Sequence, residues 1–590
     1  MLKRWVTKEY GENEAVTKLS KELGIDPVLA NLLVQRGITD FNGAKRFFRP
    51  ELEHLHDPFL MKDMDKAVER IHKALKTKEK ILVYGDYDVD GTTAVAMVYS
   101  FFKDLNANID FYIPDRYAEG YGVSYQGIDY ACENKYSLVI ALDCGIKAID
   151  KIDYARKFGI DFIIGDHHRP GDSLPDAVAV LDAKRSDCEY PYKELSGCGV
   201  GFKLVQAYCQ QYDMPFELLH PYLDLVVVSI AADIVPITGE NRILAYYGLK
   251  KMNTNPRPGL EAILQVSNIT RKPVYDIKED GCIFSRELSI SDLVFVVGPR
   301  INAAGRLESG SNSVELLIAE NYSDAMTLAS QINSINNERR HLDNQATTDA
   351  LDMIENDTSF GDKKVTVVYN PTWHKGVVGI VASRLTDTYY RPTVVLTKSN
   401  ELITGSARSV KGFDVYDAID ACSDLLEHFG GHMYAAGLSM KEEHLEEFTK
   451  KFERIVEESI ESSMLIPEIE IDVEIRLSTI NSRFYRILKQ FAPFGPGNMA
   501  PVFKTNGLID SGLARLVGKN EDPLKNHLKL NVVHPDESSY PIPAIAFQQG
   551  EYYSKIRDGE LFSIVYHVEQ NEWNGNVTLQ LNVKDIKLIP

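Results

Sequence analysis

The 590-residue sequence has few of the residues that define several classes of protein. It has seven cysteines, and no two of them form a Cys-x-x-Cys pair. An odd, scattered set of this kind argues against a disulfide framework and favours free thiols, so a cytoplasmic protein is expected. The longest apolar stretch, LDLVVVSIAADIV, is shorter than the roughly 20 residues that span a bilayer, and no membrane association is expected. The first residues also lack the apolar core of a secretory signal.

Basic residues are in the minority. There are 65 Lys and Arg against 85 Asp and Glu, a formal net charge of −20. A chain this acidic does not have the overall charge of an ordinary nucleic-acid-binding protein. Local clusters of basic residues, or metal ions held between carboxylates and phosphates, would still allow it to bind phosphates, because net charge does not decide the chemistry of a cleft.

The rest of the composition, 44% hydrophobic and 25% charged residues, is that of a globular protein. The length corresponds to about three to five domains. Residues 1–80 are expected to form an N-terminal helical region that packs on the domain after it. From Ile81 to about residue 312, short apolar runs alternate with helical segments, which predicts a parallel sheet buried on both faces.

A long polar stretch separates this domain from the rest of the chain. Residues 313–357 contain no Gly or Pro and predict a connecting helix. Residues 358–464 predict a second, smaller α/β domain, with helices at GVVGIVASRL and VYDAIDACSDLLEHFG. Residues 465–590 alternate as strands around an Asn-Gly turn, which fits a five-stranded OB-like β-barrel. The predicted fold is therefore α/β, with two α/β domains joined by a helix and a C-terminal barrel.

Acidic residues follow the apolar runs of the first domain. They are Asp86, Asp88 and Asp90 after ILVYG, Asp143 after SLVIAL, Asp166 with His167 and His168 after DFIIG, and Asp233 after LVVVSIAA. Ligands of open α/β sheets bind at the carboxyl ends of the strands, so these side chains should converge. Clustered carboxylates repel one another unless a cation lies between them. Carboxylates with one or two imidazoles suit Mn²⁺ or Mg²⁺, and the pattern predicts a site for such ions.

Two other interpretations compete for these acids. GDYDVDG copies the first half of a calcium loop, but the twelfth position of such a loop, normally Glu, is Met97. A single Asp after a strand is most often a helix cap, which could account for any one of the acids. It does not account for GDYDVDG, LDCG and GDHH in succession.

The same motifs resemble a known family. VYGDYDVDGTTA, ALDCG, IIGDHHRP and AADIVP are similar to four successive motifs of the DHH phosphoesterase superfamily. GPRINAAGR, HKGVVGIVASRL, GSARS and GGHMYAAG resemble further motifs of its RecJ branch, and PFGPGNMAPVF and WNGNVTLQLNVKDI resemble the terminal OB region of that branch. The resemblance runs from about Ile81 to the C terminus.

This resemblance implies a metal-dependent exonuclease that hydrolyses single-stranded DNA in the 5′-to-3′ direction to 5′-mononucleotides, in DNA repair and recombination. A water activated by two divalent ions, Mn²⁺ or Mg²⁺, would be the nucleophile. The residues implied to hold the ions are Asp88, Asp90, Asp143, His167 and Asp233.

Three further residues are implied to take part in catalysis. Asp86 would be an additional ligand or would lie behind the ligands, and the sequence does not decide between these roles. Asp166 would brace a histidine. His168 would face the scissile phosphate or orient the ligands.

A separate group of residues is implied to bind the substrate. Its members are Arg116, Arg300, Asn302, Arg306, Ser406, Arg408, Gly431 and His432. In the RecJ branch such residues bind the 5′-terminal phosphate and the neighbouring backbone. GGHMYAAG is expected to place His432 at a helix start, where free N–H groups favour phosphate. The competing interpretation is packing of small residues and solvated surface arginines.

Two alternative functions remain open. One is a DHH-family phosphodiesterase that cuts short oligoribonucleotides or cyclic dinucleotides, although the β-rich C-terminal region argues against it. The other is a non-catalytic DNA-binding scaffold, although the metal-ligating residues are all present. Besides single-stranded DNA, a helicase and a single-strand-binding protein are expected partners. The extra C-terminal domain of some RecJ relatives is expected to be absent, since the sequence ends soon after the predicted barrel.

Overall fold

The computed structural model describes residues 3–277, 281–361, 363–518, 520, 522–537, 540–573 and 576–589. The chain divides into two compact units. We call Pro50–Leu342 with Pro493–Met499 the parallel-sheet unit, and Met1–Arg49, Asp343–Ala492 and Ala500–Pro590 the barrel unit. The expected N-terminal region, 1–80, therefore divides after Arg49, and only its second part belongs with the domain that follows it.

The first part of the barrel unit is a strand followed by short helices. These elements are β1 (Arg4–Thr7), α1 (Asn13–Leu23), α2 (Pro27–Val34) and α3 (Phe41–Phe48). β1 pairs in parallel with Glu468–Ile471, a later strand of the same unit. This long-range pairing explains why residues 1–49 group with the barrel unit.

The parallel-sheet unit alternates strands and helices as predicted. Its elements are α4 (Met64–Thr77), β2 (Ile81–Gly85), α5 (Val89–Asp104), β3 (Ile109–Tyr112), α6 (Tyr125–Glu133), β4 (Leu138–Leu142), α7 (Ile149–Arg156), β5 (Asp161–Gly165), β6 (Ala179–Leu181), α8 (Gly197–Gln211), α9 (Leu223–Ala232), α10 (Gly239–Thr254), α11 (Pro258–Val266), α12 (Ile290–Asp292), α13 (Gly298–Leu307) and α14 (Ser311–Leu317). A π-helical turn, Leu293–Val297, joins α12 to α13.

The sheet of this unit has the order β3-β2-β4-β5-β6, and all its strands are parallel. Alternate residues of each strand enter different apolar cores, with Ile81 and Val83 in one core and Leu82 and Tyr84 in the other. A sheet covered on both faces explains the unbroken apolar runs in the sequence.

The predicted connecting helix is interrupted near its start. α14 ends at Leu317, and the long helix α15 spans Tyr322–Asn356. The side chain of Asn321 accepts a hydrogen bond from the backbone N–H of Asp324 at 3.0 Å and so caps a new helix. A continuous helix over 313–357 was therefore a wrong prediction at its first residues. α15 belongs to the parallel-sheet unit up to Leu342 and to the barrel unit from Asp343.

The second α/β domain contains a mixed sheet. Its elements are β7 (Thr366–Tyr369), α16 (Val378–Tyr389), β8 (Thr393–Ser399), β9 (Leu402–Arg408), α17 (Val415–Asp420), β10 (His428–His432), β11 (Ala435–Lys441) and α18 (Leu445–Ser459). The order is β10-β11-β9-β8-β7, and β7 and β8 are parallel whereas the other pairs are antiparallel. The helix predicted for VYDAIDACSDLLEHFG ends at Asp420, because the later residues turn into β10.

The C-terminal region forms a closed barrel. Its elements are β12 (Glu468–Ile471), β13 (Val473–Glu474), α19 (Ser482–Lys489), β14 (Phe503–Asp510), β15 (Arg515–Val517), β16 (His527–Val533), β17 (Ile542–Ala546), α20 (Tyr553–Arg557), β18 (Phe562–Trp573) and β19 (Asn576–Leu588). Pairing runs β14–β18–β19–β17–β16 and returns from β16 to β14, which closes five strands into a ring. This confirms the predicted OB-like barrel. The predicted Asn-Gly turn, residues 574–575, lies outside the described residues.

The structure agrees with two features of the composition. All seven cysteines carry free thiols. Within the described part of the chain, no helix combines the length and the apolar character needed to cross a membrane.

Candidate active site

Three of the predicted acids lie where neighbouring strands of the parallel sheet end. β2 is followed by Asp86, β4 by Asp143 and β5 by Asp166. Because these strands are adjacent in the order β2-β4-β5, their carboxyl ends meet at one edge. The chain passes from β2 to β3 on one side and reappears at β4 on the other, so this edge contains the switch point at which open parallel sheets bind ligands.

Two more carboxylates belong to the beginning of α5. Asp88 caps this helix by accepting a hydrogen bond from the backbone N–H three residues later, at 3.0 Å. Asp90 is buried and accepts hydrogen bonds from the N–H groups of Gly197 and Cys198, at 2.6 and 2.7 Å, and from Ser229 Oγ at 2.7 Å. These contacts fix the Asp90 carboxylate between α5, α8 and α9.

An unusual backbone conformation brings Asp143 to the same place. Its φ of 59° lies in the left-handed region, which Asp tolerates better than most residues. The Asp143 side chain packs against Gly197, where an added Cβ would lie 2.6 Å from Asp143 Cβ. Only glycine fits at residue 197, so the first turn of α8 can approach the acid closely.

Asp233 reaches the site from the end of α9 and not from a strand. The next residue, Ile234, is β-branched and has a φ of 60°. Such a conformation costs about 1–3 kcal/mol and persists where the surrounding structure enforces it. The enforced turn directs the chain away directly after Asp233.

His167 lies among the carboxylates. Its Nε2 is 3.2 Å from Asp143 Oδ1, 3.6 Å from Asp233 Oδ2 and 3.7 Å from Asp90 Oδ2. Two groups of three residues could each hold an ion. They are Asp143, His167 and His168, and Asp90, His167 and Asp233, and within each group the ligand atoms lie within 4.8 Å of one another. The structure thus gathers four of the five predicted ligands, Asp90, Asp143, His167 and Asp233, into one cluster, and Asp88 lies nearby as the cap of α5.

Several buried polar atoms in this cluster have no hydrogen-bond partner among the described residues. They are Oδ1 of Asp143, both ring nitrogens of His167 and Oδ2 of Asp233, and the 3.2 Å contact between His167 Nε2 and Asp143 Oδ1 does not have the geometry of a hydrogen bond. Buried polar atoms in native proteins are rarely left in this state. Burial first, and then the charge of Asp88, raise the pKa of Asp86 to about 8. Burial and the charges of Asp90 and Asp88 raise the pKa of Asp233 to about 8 as well.

Divalent cations would resolve both features. They would bond to the partnerless atoms and would neutralise the repulsion that raises the pKa of these carboxyls. A set of carboxylate oxygens with one imidazole fits Mn²⁺ or Mg²⁺, and the imidazole favours Mn²⁺. The residues present therefore fit a pair of such ions.

His168 is positioned differently from His167. Its Nδ1 is 2.7 Å from Asp166 Oδ1, and its Nε2 is 3.1 Å from Tyr121 Oη. Burial alone would lower the pKa of His168, but the hydrogen bond and charge of Asp166 outweigh burial and raise it to about 9. For Asp166, the hydrogen bonds from His168 and from the backbone N–H of Ile146 outweigh burial and lower its pKa to about 2. Without bound ions, the protonated form of His168 is therefore favoured beside the ligand cluster.

Of the predicted substrate-binding residues, Arg116 and Arg306 lie close to the acidic cluster. The Arg116 guanidinium is 4.9 Å from the ring centre of Tyr87, which lies between Asp86 and Asp88 in sequence. Burial raises the pKa of Tyr87 to about 12, and the charges of Arg116 and Arg306 both oppose that rise. Asn302 lies one turn before Arg306 on α13 and so occupies the same face of the helix.

Arg300 lies in a different basic cluster. Its Nε donates to Asn333 Oδ1 at 3.0 Å. Burial lowers the pKa of Arg300, and the charges of Arg340 and Arg339 lower it further. Three guanidinium groups near one another make this a candidate phosphate-binding surface on an otherwise acidic chain.

Sequence reasoning missed the arginines of α15, because NNERR was interpreted as part of a connecting helix. A signal was present in the spacing. Asn333, Asn336, Asn337 and Arg340 recur at i, i+3, i+4 and i+7, which places them on one face of the helix.

The barrel unit holds the other predicted substrate-binding residues. Arg408 Nη1 donates to Ser406 Oγ at 2.7 Å, and its Nε donates to Ser383 Oγ at 3.1 Å. Burial lowers the pKa of Arg408. Within the described part of the chain no carboxylate forms an ion pair with it, so this half-buried guanidinium lacks an anion.

The prediction that His432 begins a helix is wrong. His432 is the last residue of β10, and GGHMYAAG forms a β-hairpin. Gly431 has a φ of 154°, and a Cβ there would lie 2.3 Å from the carbonyl oxygen of Ala435. Glycine-rich segments carry no helical or strand periodicity, which is why the sequence did not distinguish the two forms.

The strand register nevertheless brings His432 to the face that carries Ser406 and Arg408. Residues directly opposite in paired strands share a face. Two rows cross β10, β11 and β9: His432–Ala435–Arg408 and Gly430–Gly437–Ser406. His432 and Arg408 are thus about 10 Å apart, across two strand spacings and a floor of small residues. Gly431 faces the other side of the sheet.

The N-terminus of α16 approaches the same face and was not singled out from the sequence. A Cβ at Gly379 would lie 3.0 Å from Arg408 Nη2 and 3.2 Å from Ser406 Oγ. Free N–H groups and the helix dipole favour anions at such an end. Ser406, Arg408 and the start of α16 together form a candidate phosphate site.

Comparisons with known proteins identify the family. The DHH family, N-terminal domain, matches residues 80–230, the DHHA1 domain matches 362–458, and the RecJ OB domain matches 471–585. The single-stranded-DNA-specific exonuclease RecJ of Bacillus subtilis (strain 168) is 36% identical over 585 residues, which cover 99% of this chain and 70% of that protein. The chain belongs to the RecJ family.

Solved RecJ structures share its fold. RecJ of Thermus thermophilus in complex with Mn²⁺ matches with a TM-score of 0.82 and 24% identity, over 99% of this chain and 79% of that one. A crystal structure of exonuclease RecJ bound to manganese matches with a TM-score of 0.57 and 28% identity, over 68% of this chain and 96% of that one. The RecJ fold confirms the predicted architecture of two α/β domains and an OB barrel.

Proposed function

We propose that the chain is a metal-dependent exonuclease that hydrolyses single-stranded DNA from its 5′ end and releases 5′-mononucleotides. The observation that carries this proposal is the convergence of Asp86, Asp90, Asp143, His167 and Asp233 at one sheet edge, where buried atoms of Asp143, His167 and Asp233 have no hydrogen-bond partner among the described residues. Its RecJ relatives are named single-stranded-DNA-specific exonucleases, which supports the same substrate.

The metal-ligating role belongs to Asp88, Asp90, Asp143, His167 and Asp233, and Asp86 adds a further carboxylate at the same edge. Bound there, two divalent ions would lower the pKa of an attacking water and neutralise charge on the phosphodiester. N–H groups at the start of α8 hold the Asp90 carboxylate, and Gly197 of the same helix packs against Asp143.

His168 acts beside the ions. With a pKa of about 9 it is protonated at neutral pH, and Asp166 fixes its ring. Its role is to place a positive charge toward a non-bridging oxygen of the scissile phosphate. Arg116 and Arg306, near Tyr87, would add further positive charge on the strand next to the cut, and Arg300 with Asn302 would bind phosphates beyond it.

Recognition of the strand end belongs to Ser406, Arg408 and His432, with the N–H groups that begin α16. A terminal phosphate offers the anion that Arg408 lacks, and the floor of Gly430 and Gly437 leaves room for it. Gly431 is required for the hairpin that carries His432.

Replacing Arg408 with Gln should reduce the preference for a 5′-phosphate. A hydrogen bond to a charged group contributes about 1.5–3 kcal/mol, so kcat/KM on a 5′-phosphorylated strand should fall by about 10- to 100-fold. The same strand with a 5′-hydroxyl should change by less than about threefold. Lys398→Gln, an exposed cation paired with Glu442, is the matched control and should change neither rate. Equal losses on both substrates would assign Arg408 to folding.

The function itself is tested by following one strand labelled at either terminus, with Mn²⁺, Mg²⁺ or a chelator present. The proposal expects mononucleotides to appear first from the 5′ label, with either ion, and no product with the chelator. Release from the 3′ label first would contradict the polarity. Product formation in the chelator would contradict the metal centre.

The alternatives differ in substrate. A phosphodiesterase of short oligoribonucleotides or cyclic dinucleotides would turn over a dinucleotide faster than a long DNA strand. A binding scaffold would hold DNA without releasing nucleotides. The OB barrel and the intact ligand cluster favour the exonuclease over both.

The cellular setting belongs to the same proposal. A single-strand nuclease depends on other proteins to open duplex DNA, so a helicase and a single-strand-binding protein are the expected partners. Free thiols on all seven cysteines suit the reducing cytoplasm, and repair and recombination are the processes that require such resection.

A further inference from the structure

A groove of about 610 Å³ lies in the barrel unit between the N-terminal helices and α19. We call it the basic groove and define it by Phe41, Lys45, Arg49, Arg483 and Arg486, which line it. None of these residues belongs to the metal centre, to the Ser406–Arg408 site or to the five barrel strands.

Both walls of the basic groove alternate basic and apolar side chains. On α3, Phe41, Lys45 and Phe48 are spaced i, i+4 and i+7, which places them on one face. On α19, Arg483 and Arg486 are one turn apart and share their face with Ile487. Two helices therefore present cations and apolar surface to the same space.

Among the described residues, the cations of the groove are clustered without carboxylate partners. Throughout the described residues, no carboxylate forms an ion pair with Lys45, Arg49 or Arg486. Other exposed cations of the unit do pair, as Lys411 does with Glu470 at 2.6 Å. Only one acidic residue, Glu22, is among the residues that line the groove. In a chain with a net charge of −20, an unneutralised cluster of this kind points to an external anion.

An exposed aromatic ring accompanies these charges. The rings of Phe47 and Phe48, which are partly buried, pack edge-on against buried Phe491, with ring centres 5.5 and 5.3 Å from it. Phe41 is outside this cluster and is 46% exposed. Cations in a groove beside an exposed ring are the combination that binds single-stranded nucleic acid, in which phosphates meet the charges and bases stack on rings.

The basic surface continues past α19. A second cavity, of about 240 Å³, lies along an adjoining face of this helix and is lined by Arg486 and Lys489 together with Thr578 and Leu579 of β19. Arg486 lines both cavities, so the cations form a row that extends across a helix about 12 Å long. A row of cations matches the repeating phosphates of a single strand, each of which can meet one charge.

We propose that the basic groove binds an internal segment of the single strand, as a contact separate from the metal centre and from the site for the strand end. This proposal rests on the proposed function, since it assigns the groove to the same substrate. The groove would raise affinity for long strands and would leave the chemistry on short ones unchanged.

The test uses the full chain with Lys45, Arg49 and Arg486 all changed to Gln. Affinity for a strand of about 30 nucleotides, which exceeds the site size of one OB fold, is measured by fluorescence anisotropy in chelator at several salt concentrations. Each phosphate contact contributes about 0.7 to the slope of log K against log salt for single strands, so the slope should fall by about 2. Affinity at low salt should fall at least about tenfold.

Phe41→Ala separates stacking from charge. Loss of one stacked base should reduce affinity at least about fivefold, with the salt slope unchanged. Cleavage of an oligonucleotide of about five nucleotides should stay within about twofold of the parent in both variants. Lys73, Lys76 and Lys157, exposed cations of the parallel-sheet unit, changed together to Gln, give the same change in net charge and should leave affinity for the long strand unaltered.

The outcomes distinguish this inference from the proposed function. Normal cleavage of the short oligonucleotide together with unaltered long-strand affinity would overturn the groove proposal alone. A second contrary outcome is that poly-glutamate competes with DNA for the parent protein while the triple variant keeps its DNA affinity. This outcome would assign the groove to an acidic protein and would also overturn the groove proposal. Absence of cleavage on every single strand would refute the proposed function instead.

Discussion

Asp143→Asn should lower kcat by at least about 10³-fold. A divalent ion contributes several kcal/mol of charge stabilisation in phosphoryl chemistry, and each 1.36 kcal/mol is a factor of ten. Asp143 is the ligand candidate closest to His167, with Oδ1 3.2 Å from Nε2, and an amide oxygen in that position carries no full charge. The measurement is single-turnover cleavage of a 5′-phosphorylated strand in Mn²⁺. Affinity for the same strand in chelator should change by less than about threefold.

Although Asp143→Asn should impair catalysis, it should stabilise the metal-free protein. Burial, and then the charges of Asp90 and Asp88, hold the pKa of Asp143 well above its usual range. A carboxyl whose pKa is raised on folding weakens the fold at any pH where it would be ionised in the unfolded chain. Removing that charge should raise the melting temperature without metal.

Added Mn²⁺ should further distinguish the stability of Asp143→Asn from that of the parent. An ion at about 100 times its Kd stabilises the parent by about 2.7 kcal/mol, and Asp143→Asn should lose most of this gain. Asp150→Asn, an exposed carboxylate at the start of α7, should behave as the parent in both assays. A variant that is destabilised without metal and still stabilised by Mn²⁺ would show that Asp143 has a structural role only.

Sequence reasoning brought most of the candidate ligands together because their convergence follows from chain topology. Asp86, Asp143 and Asp166 end adjacent parallel strands, and parallel strands present their carboxyl ends at one edge. Asp233 was found although it ends a helix, because the apolar run before it is buried. The sequence could not show which residues pack against these acids. The contact of Gly197 with Asp143 is an example, because it joins residues far apart in the chain.

Two of the incorrect predictions share a physical cause. His432 was assigned to a helix because Gly and Ala fit both a tightly packed helix and a flat hairpin, and only the register with β9 decides between them. The region 1–80 was treated as one body because the pairing of β1 with a strand near residue 468 leaves no local signal. In both cases a long-range strand pairing overrode local pattern.

Breaking one buried ion pair in the parallel-sheet unit should be the most destabilising single change outside the metal centre. Lys203 and Glu240 are 0% and 1% exposed and are joined at 3.0 Å. Lys203 Nζ also donates to the carbonyl of His56 at 2.7 Å, and Glu240 accepts from His56 N–H and from Tyr190 Oη at 2.9 and 2.6 Å. The pair therefore links α8 and α10 to the segment that begins this unit.

Lys203→Met should cost about 3–5 kcal/mol, because it leaves the Glu240 carboxylate buried without a cation. Lys203→Met with Glu240→Leu should recover much of that loss, since two apolar side chains of similar volume carry no desolvation cost.

The measurement must report on the parallel-sheet unit, which contains both residues of the pair. All three tryptophans, Trp5, Trp373 and Trp573, belong to the barrel unit, so tryptophan emission does not report on the parallel-sheet unit.

Amide hydrogen exchange in the buried strand Leu138–Leu142 supplies the needed measurement, because its protection reports the opening free energy of the parallel-sheet unit. Lys203→Met should accelerate exchange there by at least about 100-fold, and tryptophan emission should stay at the parent value. If Glu240→Leu does not restore protection to Lys203→Met, the cost comes from lost packing of the lysine stem and not from the stranded charge. Restoration would show that the pair fixes how the chain enters this unit and adds little net stability beyond that of an apolar contact.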